Sequence, residues 1–248
     1  MRYISLHKQL QADYDTLQEN ARLRDDVEHI TRHDLKGSLA GVIGVIQSLT
    51  QQSAFEGYPL EQLRIAEEAA LQTLNMINLS TELYKIESGT FQLDAQPVDI
   101  SDVIRQVVGL ARKTYATRKL NFLVALNDPA SDAPPTKILG DALLCYSLFQ
   151  NLIKNACEAA PDNSPIEVVL HDENPVKLTI TNTGAVPMEI RDTFFDKYIT
   201  HGKSDGTGLG TYSSKLFVEA QQGNIKLDIS DKKNQTTITV TLPRQIAS

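Results

Sequence analysis

From Leu6 to about Gln52 the chain has no proline, and no glycine before Gly37. A stretch of that length without a breaker, with apolar residues at helical spacing, is expected to fold as helix. Leu10, Tyr14, Leu17 and Ala21 step by four, three and four, the seam of a coiled coil. Leu23, Val27 and Ile30 continue the stripe one residue out of phase, a shift that locally over- or underwinds such a coil. Beyond residue 34 the apolar face widens to Leu35, Leu39, Val42, Ile43, Ile46 and Leu49. Gly37, Gly41 and Gly44 weaken this helix by roughly 1 kcal/mol each relative to alanine, which points to close packing or bending there. The segment A-F-E-G-Y-P, residues 54–59, breaks it. A second helix is expected from about Leu60 to Glu87: Leu63, Ala70, Ile77 and Tyr84 recur every seven residues, Leu60, Leu71 and Leu74 widen the stripe, and Gly89 ends it. Two helices and a short loop bury too little by themselves, so the expected fold is a helical hairpin that dimerises into a four-helix bundle.

The remainder reads differently. Phe91 to Val98 is expected as a short strand and linker, with the domain boundary between Ile86 and Pro97. Asp99 or Ser101 caps a helix to about Arg118, and Leu120 to Leu126 alternates as a strand. D-P-A-S-D-A-P-P, residues 128–135, is a loop, and Asp141 caps a helix carrying Leu144, Leu148, Leu152 and Ile153 inward. Ile166–Leu170, Lys177–Thr181, Ile225–Ile229 and Thr237–Leu242 have strand character. Strands mixed with a few helices imply an α/β sandwich with helices on one face of a mixed sheet.

Composition narrows the function. With 31 acidic against 24 basic residues and a formal charge of −7, the chain lacks the basic face of a nucleic-acid binder, so no nucleic-acid partner is expected. Cys145 and Cys157 form neither a disulfide framework nor a C-x-x-C metal pair. On one helix they would stand about 18 Å apart at 1.5 Å per residue, so they read as buried free thiols in a reducing compartment. No apolar run is long enough for a membrane helix, and Met1 to Leu10 lacks the apolar core of a signal peptide. The expectation is a cytoplasmic piece whose sensory, and possible membrane-anchoring, part lies upstream.

Candidate chemistry is spread along the chain. In T-R-H-D-L-K-G-S-L, residues 31–39, His33 stands beside Asp34, with Lys36 one turn on, among polar neighbours expected on the outside of a bundle. Asn151 and Asn155 are four apart on one helix face. Their oxygens suit a magnesium ion, which prefers a few protein oxygens completed by phosphates and waters. H-G-K-S-D-G-T-G-L-G, residues 201–210, combines glycines, which let backbone N–H groups approach phosphates, with the start of a helix. It is neither a P-loop nor a dinucleotide-binding turn.

In order, H-D-L-K-G-S-L, N-L-I-K-N-A, N-T-G-A-V-P, F-F-D-K-Y and G-T-G-L-G-T resemble the H, N, G1, F and G2 boxes of bacterial two-component sensor histidine kinases. The likeness spans nearly the whole chain and includes L-Y-K-I-E-S-G at 83–89, where the family closes its second bundle helix. It implies a coiled-coil signalling helix over 1–30, a dimerisation and phosphotransfer hairpin over 31–90 and a Bergerat-type catalytic domain over 91–248. It further implies a homodimer that binds ATP and Mg2+, phosphorylates itself and serves a response-regulator receiver domain. Carried over by position, His33 is the nucleophile, Asp34 orients its ring, and Lys36 belongs to the same catalytic group. Asn155 is the magnesium ligand, supported by Asn151. Asn182 takes the place of the aspartate that reads the adenine amino group, with Gly184 beside it. Gly206, Thr207, Gly208, Leu209 and Gly210 cradle the phosphates, and Lys197 or Lys203 neutralises the transferring phosphoryl group. Phe194 and Phe195 match the F box as hydrophobic anchors.

The sequence departs from the family pattern in places. Asn182 replaces the usual G1 aspartate, so its bond to adenine loses charge assistance, and the box lacks its second glycine. Ser147 stands one turn before Asn151, where many members are polar or acidic. Gly37 and Ser38 occupy positions where threonine or asparagine, and proline, are common, which implies kinase activity with little or no phosphatase activity. Two rivals follow: a degenerate kinase serving as a dimeric scaffold, and another ATPase of the same superfamily, such as a chaperone or topoisomerase. The intact His33, Asp34, Asn155 and G-T-G-L-G weigh against the first, and the H box against the second.

Overall fold

The computed structural model describes residue 35 and residues 39–50, 58–126, 136–199 and 208–244. His33, Asp34, Lys36, Lys203, Gly206, Thr207 and the heptads before residue 31 lie outside these residues, as do Gly37 and Ser38. The chain divides into two compact units, Met1–Tyr84 and Lys85–Ser248.

In the first unit, residues 39–50 are helical (α1) and α2 spans Tyr58–Glu87. Ile43, Ile46 and Ala70 are buried, and the Gln47 amide donates to Glu67 Oε1 at 2.9 Å, joining the two helices. Val42, Val45, Ile65 and Met76 remain more than half exposed, more apolar surface than helices of this length usually leave in water. No helix among the described residues is long and apolar enough to cross a membrane.

In the second unit, α2 ends where Gly89, at φ +71°, turns the chain back and the Thr90 amide reaches Lys85 O at 2.9 Å. The elements that follow are β1 (Gln96–Asp99), α3 (Ile100–Thr114), β2 (Asn121–Ala125), β3 (Lys137–Gly140), α4 (Ala142–Ala159), β4 (Pro165–His171), β5 (Val176–Thr183), α5 (Gly210–Ala220), β6 (Asn224–Ser230) and β7 (Gln235–Leu242). The main sheet has the order β2-β4-β5-β7-β6, with β2 parallel to β4 and the other neighbours antiparallel. It is the mixed sheet with helices that the strand patterns predict. The pair β1–β3 stands apart as an antiparallel ribbon; β3 is four residues behind a proline-rich loop, too short for its alternation to register in the sequence.

Alternation decides the core. Ile166, Val168 and Leu170 on β4, Val176, Leu178 and Ile180 on β5, and Ile238, Val240 and Leu242 on β7 form one buried cluster with the inner residues of α3 and α4. Asp99 caps α3 by accepting from the Asp102 amide at 3.2 Å, and Asp141 caps α4 by accepting from the Leu144 amide at 3.0 Å, as short polar side chains at N-caps do. The helix α3 ends at Thr114, earlier than its sequence suggests. A 3-10 turn, Ala116–Arg118, follows and closes at Lys119 in the left-handed region, φ 51°. That turn aims Arg118 at the far end of α4, where its guanidinium donates to Cys157 O at 2.6 Å, Ala160 O at 2.5 Å and Asp162 Oδ1 at 2.7 Å. The carbonyls a helix leaves without partners are thereby satisfied.

Candidate functional site

The same alternation that builds the core positions the first candidate residue. On β5 the inward positions run Val176, Leu178, Ile180 and then Asn182; on β7 they run Leu242, Val240, Ile238 and then Thr236. Asn182 and Thr236 are register partners, so the apolar stripe of both strands ends in a polar pair. Both are 4 % exposed. The Asn182 amide Nδ2 donates to Thr183 O at 2.9 Å. The Thr236 hydroxyl donates to Gly184 O at 2.7 Å and accepts from the Val186 amide at 3.2 Å, holding the turn that follows β5.

Gly184 in that turn has φ +111°, and a Cβ there would lie 3.0 Å from Ala159 O. Glycine is required both for the backbone angle and for this approach to the last turn of α4. Its amide donates to Asn234 O at 2.7 Å and the Ala185 amide to Asn234 Oδ1 at 2.9 Å. Arg191 completes the clamp by donating to Val186 O at 2.8 Å and pairing with Asp231. That hydrogen bond holds the Asp231 carboxyl below its ordinary value.

Along α4, Ser147, Asn151, Asn155 and Ala159 recur every four residues on one row, beside the buried Leu148, Phe149, Leu152 and Ile153, and Ser147 is itself buried. A Cβ on Gly210 would lie 3.9 Å from Asn155 Nδ2 and 4.0 Å from Asn151 Cγ, so the N box and the G2 box, far apart in sequence, meet in space. Asn151 Nδ2 is 3.4 Å from Ser213 Oγ, and Ser213 and Ser214 both donate to Gly210 O, at 3.1 and 2.7 Å. The helix α5 starts at Gly210 behind Leu209, which offers no side-chain cap, and an uncapped helix start directs amides and positive partial charge outward.

Gly208, at φ +67°, closes the approach: a Cβ there would fall 2.5 Å from the Tyr198 carbonyl carbon, and the Tyr198 amide donates to Gly208 O at 3.0 Å. The chain thus crosses itself on either side of residues 200–207. Phe194 and Phe195 stack edge to face with centroids 5.1 Å apart, and Phe194 packs on the core. Lys197 has other partners than the glycine cradle. Its ammonium is 2.7 Å from Glu87 Oε1 and 4.9 Å over the Tyr212 ring, and the bond to Glu87 raises its pKa. Burial and the same glutamate raise that of the Tyr212 hydroxyl.

Sequence reading missed Thr236, Ser213, Tyr212, Glu87 and Arg191. Only Thr236 carried a signal, a hydroxyl residue on the core phase of a strand. The two thiols are structural: burial pushes Cys145 and Cys157 up to about 12, too high for nucleophiles near neutrality. Among the described residues no three His, Cys, Asp or Glu side chains stand together to hold a metal ion. A cation here would take few protein oxygens and the rest from a nucleotide and water, which is how magnesium behaves, and the carboxamides of Asn151 and Asn155 fit that role.

Residues 140–246 match the family of histidine kinase-, DNA gyrase B-, and HSP90-like ATPases. The chain is 27% identical over 222 residues to two-component system protein A of Emericella nidulans, covering 84% of this chain and 32% of that protein. It is 25% identical over 233 residues to the adaptive-response sensory kinase SasA of Thermosynechococcus vestitus, covering 89% and 60%. It therefore spans less than two thirds of either relative. In fold it is similar to the mycobacterial sensor histidine kinase MprB, with a TM-score of 0.53 and 23% identity over 62% of this chain and 99% of that one. Full-length ShkA in complex with AMPPNP gives a TM-score of 0.62 at 18% identity, over 90% and 46%.

Proposed function

We propose that this chain, which belongs with the catalytic cores of two-component sensor histidine kinases, phosphorylates His33 from Mg-ATP and passes the phosphoryl group to an aspartate of a separate response-regulator receiver. The observation that carries this reading is the meeting of Asn151, Asn155 and Gly210 at the uncapped start of α5, inside a domain matched to an ATP-binding family. Helix starts of this kind hold phosphates.

Adenine would lie at the Asn182 end and the phosphates at the Gly208 and Gly210 end. Asn155, with Asn151 beside it, would hold magnesium, which when bound offsets the phosphate charge. A ring nitrogen of His33 attacks the γ-phosphorus, the new N–P bond forms, the bond to the β,γ-bridging oxygen breaks, and ADP leaves. Asp34 would accept from the other ring nitrogen, fixing the tautomer and raising the basicity of the attacking one. The apolar surface left on α1 and α2 supports a homodimer with a four-helix bundle. With Gly37 and Ser38 in the H box, dephosphorylation of the receiver should be weak or absent.

The test is incubation with γ-labelled ATP and Mg2+, followed by acid and base. A phosphoramidate is lost in acid and survives base, and His33→Gln should take up no label. Acid-stable label, or label persisting in His33→Gln, would overturn the reading. A titration that fails to saturate at millimolar ATP would favour the dimeric scaffold instead.

A further inference from the structure

The acidic chain contains a basic stretch. Between Asp102 and Asp128 there is no acidic residue, while Arg105, Arg112, Lys113, Arg118 and Lys119 bring five positive charges, against −7 for the whole chain. In the fold this stretch is most of α3, the 3-10 turn and β2. Arg118 is spent internally, on the carbonyls at the end of α4 and on Asp162. Arg112 and Lys119 are both exposed, and among the described residues neither pairs with a carboxylate.

These two cations line a cleft of about 320 Å3 together with Tyr115, Asn121 and Phe122. The Arg112 guanidinium lies 5.8 Å over the Phe122 ring and donates to Phe122 O at 3.3 Å, contacts that place it without cancelling its charge. The Tyr115 hydroxyl is turned to Glu158 at 3.5 Å, and Glu158 also pairs with Lys154 at 3.8 Å. Burial pushes that hydroxyl up to about 12, so Tyr115 adds no negative charge. Lys119 is held at φ 51°, its amide bonded to Ala116 O at 3.2 Å. Glycine adopts that backbone freely and lysine adopts it under strain. A charged side chain thus stands where the backbone favours glycine, and such outliers point to a use for the side chain.

We propose that this cleft binds a small anion carried on a flat apolar body, an aryl phosphate or aryl carboxylate. Arg112 and Lys119 hold the anionic group, and Tyr115 and Phe122 take the ring. A forked guanidinium beside an ammonium suits phosphate or carboxylate, and aromatic walls suit a ring. The volume is at the low end of clefts that enclose small molecules. Two cations around one cleft fit one anion, not a nucleic-acid backbone. The sheet edge also favours a free molecule over an added peptide strand. The Asn121 amide bonds toward β4 at Ser164 O, so the Phe122 carbonyl faces the open edge, where Arg112 already occupies it. None of these residues belongs to the nucleotide site, and the proposal does not rest on that reading.

The test is a magnetic-resonance titration of the isotope-labelled whole chain with phenyl phosphate, inorganic phosphate and benzyl alcohol. Phenyl phosphate should move the amides of residues 115–122 saturably, with a Kd of about 1 mM or lower, the scale a ligand of that size reaches. Each control carries half of the chemistry and should bind at least about tenfold more weakly. Lys119→Gly should weaken phenyl phosphate about tenfold, while its unfolding midpoint stays level or rises because glycine relieves the backbone. Four results would each overturn the proposal: cleft amides that do not move, shifts confined to residues 151–155 and 208–213, a control that binds as tightly as phenyl phosphate, or unchanged binding in Lys119→Gly.

Discussion

The two ends of the candidate site are built in opposite ways. At the Asn182 end every turn amide and the Thr236 hydroxyl are bonded within the protein, and strand register between β5 and β7 sets the geometry. At the Gly210 end the cradle consists of backbone shape: a helix start without a side-chain cap, a chain crossing at Gly208 and a 3.4 Å contact from Asn151 to Ser213. One end is held by hydrogen bonds between side chains and turn amides; the other is shaped by glycine backbone at a helix start. On the proposed reading a base would meet the first end and phosphates the second, and a base needs shape and one polar choice whereas phosphates need many donors.

Substitutions can break this contrast. The largest effect on activity is expected from Asn155→Ala. Self-phosphorylation should fall on the order of 10²-fold, as when a group that stabilises developing charge is removed, with little change in thermal unfolding. Label incorporation beside a melting curve checks both halves. Gly208→Ala comes next. Strain of roughly 1–3 kcal/mol from the left-handed backbone and the clash with Tyr198 should appear mainly as lost nucleotide affinity, read by calorimetry.

Thr236→Val should act at the other end and in the other currency. Leaving Gly184 O and the Val186 amide without their partner should destabilise the domain by about 1–3 kcal/mol, seen in denaturant unfolding before it is seen in ATP binding. Equal losses of affinity and stability in both Gly208→Ala and Thr236→Val would erase the distinction between the ends.

The smallest effect concerns pH. Asp231 is held below the ordinary carboxylate value by Arg191. Its contribution is therefore present above about pH 3.9 and lost as the pH falls through the lower folded value. Asp231→Asn should shift the unfolding midpoint slightly at neutral pH, and the shift should vanish in acid. A difference that grows on acidification would contradict the pairing.

Much of this was legible in sequence. Asp99 or Ser101, and Asp141, announced two helix starts, of which the structure uses Asp99 and Asp141; alternation announced the main strands, and the asparagine spacing put Asn151 and Asn155 on one face. Less legible were short or non-repeating devices: β3, four residues long, and the 3-10 turn that ends α3 early and sends Arg118 to α4. Glu87 and Lys197 could not be paired from sequence, because each looks like an ordinary exposed charge until the fold brings them to 2.7 Å.

The sequence by itself determined the local elements and the residue types available for chemistry, because periodicity, capping and glycine content act over a few neighbours. Only the tertiary structure decided which of those residues meet. Asn155 and Gly210 are 55 positions apart, and no local rule relates them. Their approach depends on how α4 and α5 pack over one sheet. The orientation of Asn182 was decided in the same way: its side chain offers both a donor and an acceptor, and the fold commits the donor to Thr183 O.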